Sequence, residues 1–270
     1  MLRKLAMAAV AVATIGGATL GAAPGPTPAP APKPLPPAPQ SYLGDAAPDS
    51  YKILPPAPVA GTTRYEADRT MFLGTRRLKD TPRWALALND DNGPALLKDM
   101  SCALGVELTA QNAPKVMSMI PRVARDASRA TNVPKDIYKR QRPFLVDEGP
   151  ICIARSDFLA NNPDYPSGHV TYGWTVGLIL AELAPDRATE VLVRARAFGE
   201  SRMVCGVHNM SAVEAGRTNG AIVVAGLHGS AEFRRDLEIA RREIAAARKA
   251  GPAPDPVACA AEAELLKSPY

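Results

Sequence analysis

Three separated segments of this chain carry basic and histidine side chains that could act together on a phosphate group. The first runs from Lys135 to Pro143 and contains Arg142. Two helical turns would align Lys135 and Arg142 on one face, before Pro143 ends the helix. An arginine fork and a lysine point charge suit a phosphate dianion. Taken alone, such side chains are more often solvated on a helix surface.

The second segment, Pro166-Ser167-Gly168-His169, leads directly into an apolar run and is typical of a helix start. Unpaired backbone N–H groups and the helix dipole attract anions at such an end. Gly168 would let a ligand approach the backbone, and His169 could transfer a proton near neutral pH. The competing interpretation is a plain N-cap by Ser167 beside a surface histidine.

The third segment contains Arg202 and His208, whereas the third histidine, His228, lacks such neighbours and is interpreted as structural or surface. Together the segments offer a nucleophile, a leaving-group acid and positive charge for the phosphate oxygens. The sequence shows no carboxylate cluster suited to a metal. We therefore predict that basic side chains replace metal ions and that no cofactor is needed.

The elements that must position these residues are predicted to be helices. Apolar residues recur at helical spacing, as at Val116, Ile120 and Val123, and strand-like alternation is scarce. Pro121 is expected to kink or restart its helix. Helix boundaries are expected at Pro114, Pro134, Pro143, Pro166 and Pro185. The pattern predicts an all-α, single-domain helical bundle.

The chain divides into four parts by composition. Residues 1–22 combine a basic start, a short apolar run and small residues, which is typical of a secretory signal peptide rather than a membrane anchor. Residues 23–41 form a proline-rich tether, expected to be extended. The folded domain is assigned to residues 42–250. The tail, residues 251–270, is expected to be loop, held at most by Cys259.

Charge and cysteine content narrow the partners and the compartment. The formal net charge is +5 and its basic residues are scattered, so no nucleic acid polymer is expected as a partner. No later segment is long enough to span a membrane. An exported chain with four cysteines predicts two structural disulfides, and all three pairings stay open. We expect a periplasmic or secreted protein that acts on small-molecule phosphomonoesters, and a homo-oligomer is compatible with the sequence.

The order K-x6-R-P, P-S-G-H and S-R-x5-H resembles the signature of the type 2 phosphatidic acid phosphatase / vanadium haloperoxidase superfamily. The soluble branch of this superfamily includes the class A non-specific acid phosphatases. Tyr42-Leu43, Pro48-Asp49-Ser50 and Gly173-Trp174 also resemble class A sequences. The resemblance covers roughly residues 41–248, as in a single-domain fold. It implies an all-α bundle and metal-independent hydrolysis of phosphate monoesters.

The same resemblance implies a role for each site residue. It makes His208 the nucleophile that forms a phosphohistidine and His169 the general acid for the leaving group. The implied phosphate ligands are Lys135, Arg142, Ser167, the Gly168 amide and Arg202. A haloperoxidase that binds vanadate would share these motifs, but the short class A-like chain argues against it.

One position departs from the family pattern. The third motif normally continues to an aspartate four residues after the nucleophile, which fixes the histidine tautomer, and here that position is Ala212. Glu214 would lie about 120° away around a helix and is no simple substitute. A backbone carbonyl, Asn209 or an acid from elsewhere are the remaining candidates. Two functions stay open: an active phosphatase with altered histidine support, and a catalytically weakened periplasmic phosphate-binding protein.

The expected pH optimum is acidic to neutral, because the leaving-group acid must be protonated and a free histidine titrates near about 6.5.

Overall fold

The computed structural model describes residues 40–268. The predicted signal peptide and nearly all of the tether lie outside these residues. Within them the chain is helical and contains no strand, in agreement with the predicted all-α class. No helix in the described range is long and apolar enough to cross a membrane.

Eight helices of eight or more residues build the fold. They are α1 (Thr63–Thr75), α2 (Pro82–Asn89), α3 (Pro114–Tyr138), α4 (Gly168–Leu183), α5 (Ala188–Cys205), α6 (Met210–Leu227), α7 (Ala231–Ala250) and α8 (Pro256–Leu265). Shorter helical segments are Ser50–Ile53, Leu96–Asp99, Ser101–Leu104 and Asp157–Asn161, and 3-10 turns are Gly44–Ala46, Arg76–Leu78, Gly93–Ala95, Pro143–Leu145 and Pro185–Arg187.

Helix α4 lies at the centre of the bundle and packs on α3, α5 and α6. Two glycines let α5 approach it closely. A Cβ at Gly173 would lie 2.4 Å from Cδ1 of Phe198, and one at Gly177 would lie 2.4 Å from Cβ of Ala195. The surrounding core is apolar and buried, as expected for a helix that is hydrophobic on all sides. This packing fixes the first turn of α4, where His169 lies.

Helix α3 corrects two predictions about prolines. Pro121 and Pro134 both lie inside one helix of 25 residues, so neither ends nor restarts it. Pro134 cannot donate a hydrogen bond to the carbonyl of Ala130, four residues earlier. That carbonyl instead accepts a hydrogen bond from Nδ2 of Asn219 on α6 at 3.1 Å. Tertiary contact therefore compensates for the missing bond at Pro134.

The expected boundaries at the other prolines agree better with the structure. Pro114 opens α3 and Pro185 follows the end of α4. The helix that carries Lys135 ends at Tyr138, before Pro143, because Lys139 adopts a left-handed conformation.

The cysteines pair as Cys102–Cys259 and Cys152–Cys205, so both expected disulfides are present. Cys259 lies in α8, which shows that much of the tail is helical rather than loop.

Candidate active site

Most of the predicted site residues line one cavity of about 470 Å³. They are Lys135, Arg142, Gly168, His169, Arg202 and His208. The end of α3, the loop after it, the start of α4, the last turn of α5 and the turn before α6 therefore converge on one place. Within residues 40–268 no group of three or more metal-ligating side chains forms a metal site.

Lys135 and Arg142 reach the cavity by a route that differs from the predicted one. Because α3 ends before Arg142, the two side chains do not share a helix face, and Arg142 lies in extended backbone. They meet at Asn162 instead. Its Oδ1 accepts hydrogen bonds from Nζ of Lys135 at 2.5 Å and from Nη2 of Arg142 at 3.2 Å. Asn162 thus fixes both cations at the cavity wall.

Arg202 enters the cavity from α5 and is paired with a carboxylate. Its Nη1 lies 2.6 Å from Oδ1 of Asp91, which also lines the cavity. The buried Nε of Arg202 has no hydrogen-bond partner in the described part of the chain. A phosphate oxygen is the kind of acceptor that such a donor requires.

The pKa values of these three side chains are lowered because they are buried. Burial, reinforced by Arg142, lowers the pKa of Lys135 to about 7. Burial also lowers the pKa of Arg142, to about 10, and shifts the pKa of Arg202 downwards. Each downward shift chiefly reflects the cost of removing a positive charge from water, and Asp91 offsets part of that cost for Arg202. A phosphate dianion in the cavity would offset that cost.

His208 is held by an acid that sequence reasoning did not find. Its Nδ1 lies 2.9 Å from Oδ1 of Asp164, and its Nε2 lies 3.1 Å from Nη1 of Arg142. Arginine can only donate, so Nε2 of His208 must accept and the ring proton must sit on Nδ1, facing Asp164. This tautomer leaves a lone pair on Nε2. Burial, followed by the charges of Arg142 and Lys135, holds the pKa of His208 well below its usual value.

Asp164 is itself fully buried and tightly held. Its Oδ1 accepts the backbone N–H of Asn209 at 3.1 Å, and its Oδ2 accepts Nδ2 of Asn209 at 2.8 Å. Nη1 of Arg140 lies 3.6 Å from the same carboxylate. Burial raises the pKa of the Asp164 carboxyl, and the charge of Arg140 opposes that rise. Asn209, a candidate support for His208, therefore acts on Asp164 instead of on the ring.

His169, in the first turn of α4, carries a different tautomer from His208. Its ring stacks on Phe198 with centroids 4.4 Å apart, and its Nε2 lies 2.6 Å from the carbonyl oxygen of Asp90. A carbonyl only accepts, so Nε2 carries a proton and Nδ1 is the nitrogen available to exchange one. Burial, followed by the charge of Arg202, holds the pKa of His169 well below its usual value.

The remaining predicted ligands divide. Gly168 lines the cavity, but Ser167 is buried and does not. The hydroxyl of Ser167 accepts the N–H of Val170 at 3.4 Å, which is the N-cap interaction considered as the competing interpretation. His228 pairs with Glu182 at 3.1 Å, away from the cavity.

Asp91, Asn162 and Asp164 are the site residues that the sequence did not reveal. Asn162 and Asp164 lie in the loop before Pro166, so their proximity to the second segment was the one available signal. A loop gives no periodicity from which to infer where its side chains point.

Comparison with known proteins agrees with this architecture. A model of the PAP2 superfamily matches residues 122–236, which include all the predicted site residues. An acid phosphatase of Zymomonas mobilis subsp. mobilis is 41% identical over 217 residues, covering 79% of this chain and 82% of the relative. A non-specific acid phosphatase of Providencia stuartii is 34% identical, covering 74% of this chain and 83% of the relative. A non-specific acid phosphatase of Salmonella typhimurium is 32% identical, covering 71% of this chain and 78% of the relative.

The helical fold and this site thus define a member of the PAP2 superfamily. Within it, the chain belongs to the family of bacterial non-specific acid phosphatases.

Proposed function

We propose that this acid phosphatase hydrolyses phosphate monoesters in two steps, through a phosphohistidine formed on Nε2 of His208. The observation that carries the proposal is the pair of contacts that His208 makes with Asp164 and Arg142, from which its tautomer follows. Asp164 holds the proton on Nδ1, and the lone pair of Nε2 lies beside Arg142 at the cavity. A neutral imidazole that carries no proton on Nε2 is the form of histidine that can attack phosphorus.

The cations supply the charge stabilisation that phosphoryl transfer needs. Lys135, Arg142 and Arg202 line the same cavity, and burial lowers the pKa of each because a positive charge is costly out of water. They would bind the non-bridging oxygens of the phosphate and stabilise the charge that these oxygens carry in the transition state. In this proposal they take the place of metal ions. The Gly168 amide is a further proposed ligand. The sequence also predicts that Ser167 binds the phosphate. For this contact, the Ser167 hydroxyl would have to release the backbone N–H of Val170.

The first step transfers the phosphoryl group to the enzyme. The lone pair of His208 Nε2 forms a bond to phosphorus as the bond to the leaving oxygen breaks. Protonated His169 gives a proton from Nδ1 to that oxygen, so the alcohol leaves neutral. Asp164 stabilises the positive charge that develops on the His208 ring, as the acid of a serine protease triad does for its histidine.

The second step returns the enzyme to its starting state. Neutral His169 takes a proton from a water molecule, and the oxygen of that water attacks phosphorus. The bond from phosphorus to Nε2 then breaks and its electron pair returns to His208. Inorganic phosphate leaves, and His169 is protonated again.

We also propose that the protein acts outside the cytoplasm. Residues 1–22 have the composition of a signal peptide, and the two disulfide bonds are typical of proteins in an oxidising compartment.

Trapping of the intermediate tests the mechanism. The mature enzyme is mixed with 32P-labelled p-nitrophenyl phosphate, with chelator present, and is quenched in alkali within one turnover. We expect label on the peptide that contains His208 and none in the His208→Ala variant, which should fold but not turn over. Turnover by His208→Ala would refute the mechanism. Calorimetric binding of phosphate without any hydrolysis by the wild type would instead support the phosphate-binding alternative.

A further inference from the structure

We infer that Asp164 has taken over the histidine-supporting role that the third motif normally assigns to position 212. This inference rests on the proposed function. The first step of the argument is spatial. Ala212 is fully buried in a cluster with Tyr165, the neighbour of Asp164. The carbonyl of Ala212 also accepts the backbone N–H of Ser167 at 3.0 Å. Position 212 and the loop that carries Asp164 therefore lie against each other.

The second step is electrostatic. The Asp164 carboxylate already receives donors from His208 and Asn209 on both of its oxygens. A second carboxylate at position 212 would enter a buried site whose donors are in use. Two acids in such a site repel each other, and one of them becomes protonated. The site therefore accommodates one carboxylate, either at position 164 or at position 212. Alanine at position 212 avoids a second, competing carboxylate beside Asp164.

The third step explains how Asp164 is kept in place. Arg140, beside its carboxylate, is anchored by Asp68 at 2.7 Å and by the hydroxyl of Ser211 at 2.6 Å. The neighbouring charge of Arg140 favours the ionised form of Asp164. Arg140, whose closer ion pair is with Asp68, therefore also places a positive charge 3.6 Å from the acid at position 164.

Mutation and rescue test this inference. Asp164→Ser should lower kcat by about 10²- to 10⁴-fold, by analogy with loss of a triad acid, and should change KM little. Ala212→Asp alone should not raise kcat, because two acids compete for one histidine. The double variant Asp164→Ser/Ala212→Asp should regain most of the lost activity. Asp157→Asn, an exposed acid in the same region, is the matched control.

The outcomes separate this inference from the proposed function. Full activity of Asp164→Ser, together with loss of activity in His208→Ala, would overturn the role of Asp164 alone. Absence of rescue in a folded double variant would also overturn it. A second measurement needs no variant of Asp164. Nitrogen-15 NMR of the wild type, assigned with His208→Ala, should show the Nδ1–H tautomer of His208, and an Nε2–H tautomer would contradict the inference.

A separate observation concerns the leaving group of the substrate. A groove of about 410 Å³ adjoins the catalytic cavity, because Ala124 and Tyr172 line both. Its other walls include Pro94, Leu97, Met117 and Ile120, and among residues 40–268 no charged side chain lines it. Such a surface favours an apolar group and offers nothing to pair with a charged one.

The nitrogen of His169 that protonates the leaving group lies close to this groove. A Cβ placed on Gly93, which also lines the groove, would lie 3.8 Å from Nδ1 of His169. Nδ1 is the nitrogen assigned above to the leaving oxygen. The alcohol part of the substrate therefore departs on the side where Gly93 and the groove lie. From this placement we propose that the groove is a subsite for the apolar alkyl portion of phosphomonoesters.

Binding of n-alkylphosphonates tests this subsite without requiring turnover. Calorimetry should show affinity that rises with chain length from methyl to hexyl, by about two- to fourfold for each buried methylene. Met117→Glu should flatten this dependence. Ile239→Glu is the matched control, since both side chains are 37% exposed and Ile239 lies on α7 outside the groove. Equal wild-type affinity for all chain lengths, or a dependence that survives in Met117→Glu, would overturn the subsite. Neither result depends on the phosphohistidine.

Discussion

Oδ1 of Asp91 lies 2.6 Å from Nη1 of Arg202, so one cation of the phosphate site is already paired with an internal carboxylate. Both residues line the catalytic cavity. A phosphate dianion that enters must share Arg202 with Asp91, whose charge repels it. Asp91 thus limits phosphate affinity while keeping a buried arginine neutralised.

We predict that Asp91→Asn binds inorganic phosphate about five- to tenfold more tightly, which is the size expected for removing one competing charged hydrogen bond. Without phosphate, the variant should be less stable, because Arg202 loses its partner. Product inhibition and Tm with and without phosphate measure the two effects. Asp80→Asn, at an exposed acid that forms an ion pair with Lys79, serves as control. Unchanged phosphate inhibition in Asp91→Asn would show that Asp91 does not compete.

The lowered pKa of Lys135 predicts a proton linkage. Its pKa falls from an ordinary value near 10.5 to about 7 in the fold. Between these values the unfolded chain binds more protons than the folded one, so this residue makes stability rise with pH from about 7 to about 10.5. A bound phosphate dianion should restore the proton. Calorimetry near pH 8 in buffers of different ionisation enthalpy should detect proton uptake on phosphate binding, and Lys135→Met should abolish it.

His169 gives a prediction about leaving groups and pH. Burial and Arg202 lower the pKa of His169, so the acid form that the leaving group needs is lost as pH rises towards neutrality. Activity on alkyl phosphates should therefore be highest at acidic pH. His169→Asn should lower kcat for an alkyl phosphate by about 10²- to 10⁴-fold, the range of general acid catalysis. Hydrolysis of p-nitrophenyl phosphate should suffer less in its first step, because p-nitrophenolate leaves without a proton. Equal losses in the pre-steady-state release of the two leaving groups would argue against His169 as the leaving-group acid.

Hydrophobic periodicity, a local property, was sufficient to predict the helical class, and six of the seven predicted site residues line one cavity. The prediction that these separated segments act together drew on the resemblance of their motifs to a known family. Sequence reasoning misplaced the route by which Arg142 reaches the cavity, since a left-handed turn at Lys139 ends α3 early. It also failed at Pro134, where a contact from Asn219 compensates for the proline. The role of Asp164 could not be predicted, because the position of its side chain depends on how a loop folds back onto α6. Ala212 showed that an acid was missing, and only the tertiary structure shows where another acid lies.

The contact between α4 and α5 gives the last prediction. A methyl group at Gly173 would lie 2.4 Å from Cδ1 of Phe198, the ring on which His169 stacks. Gly173→Ala should therefore push Phe198 aside, destabilise the protein by about 1–3 kcal/mol as overpacking does, and displace His169. Gly74 in α1 is the matched control, since a Cβ there would meet no neighbouring atom within 4 Å in the part of the chain that the structure describes. Gly74→Ala should stabilise the protein by about 0.5–1 kcal/mol and leave kcat unchanged. Denaturant unfolding measures both free energies. If α4 and α5 position the acid, Gly173→Ala will lose more activity on alkyl phosphates than on p-nitrophenyl phosphate. An equal loss in the pre-steady-state release of both leaving groups would mean that the substitution disturbs the fold without acting through His169.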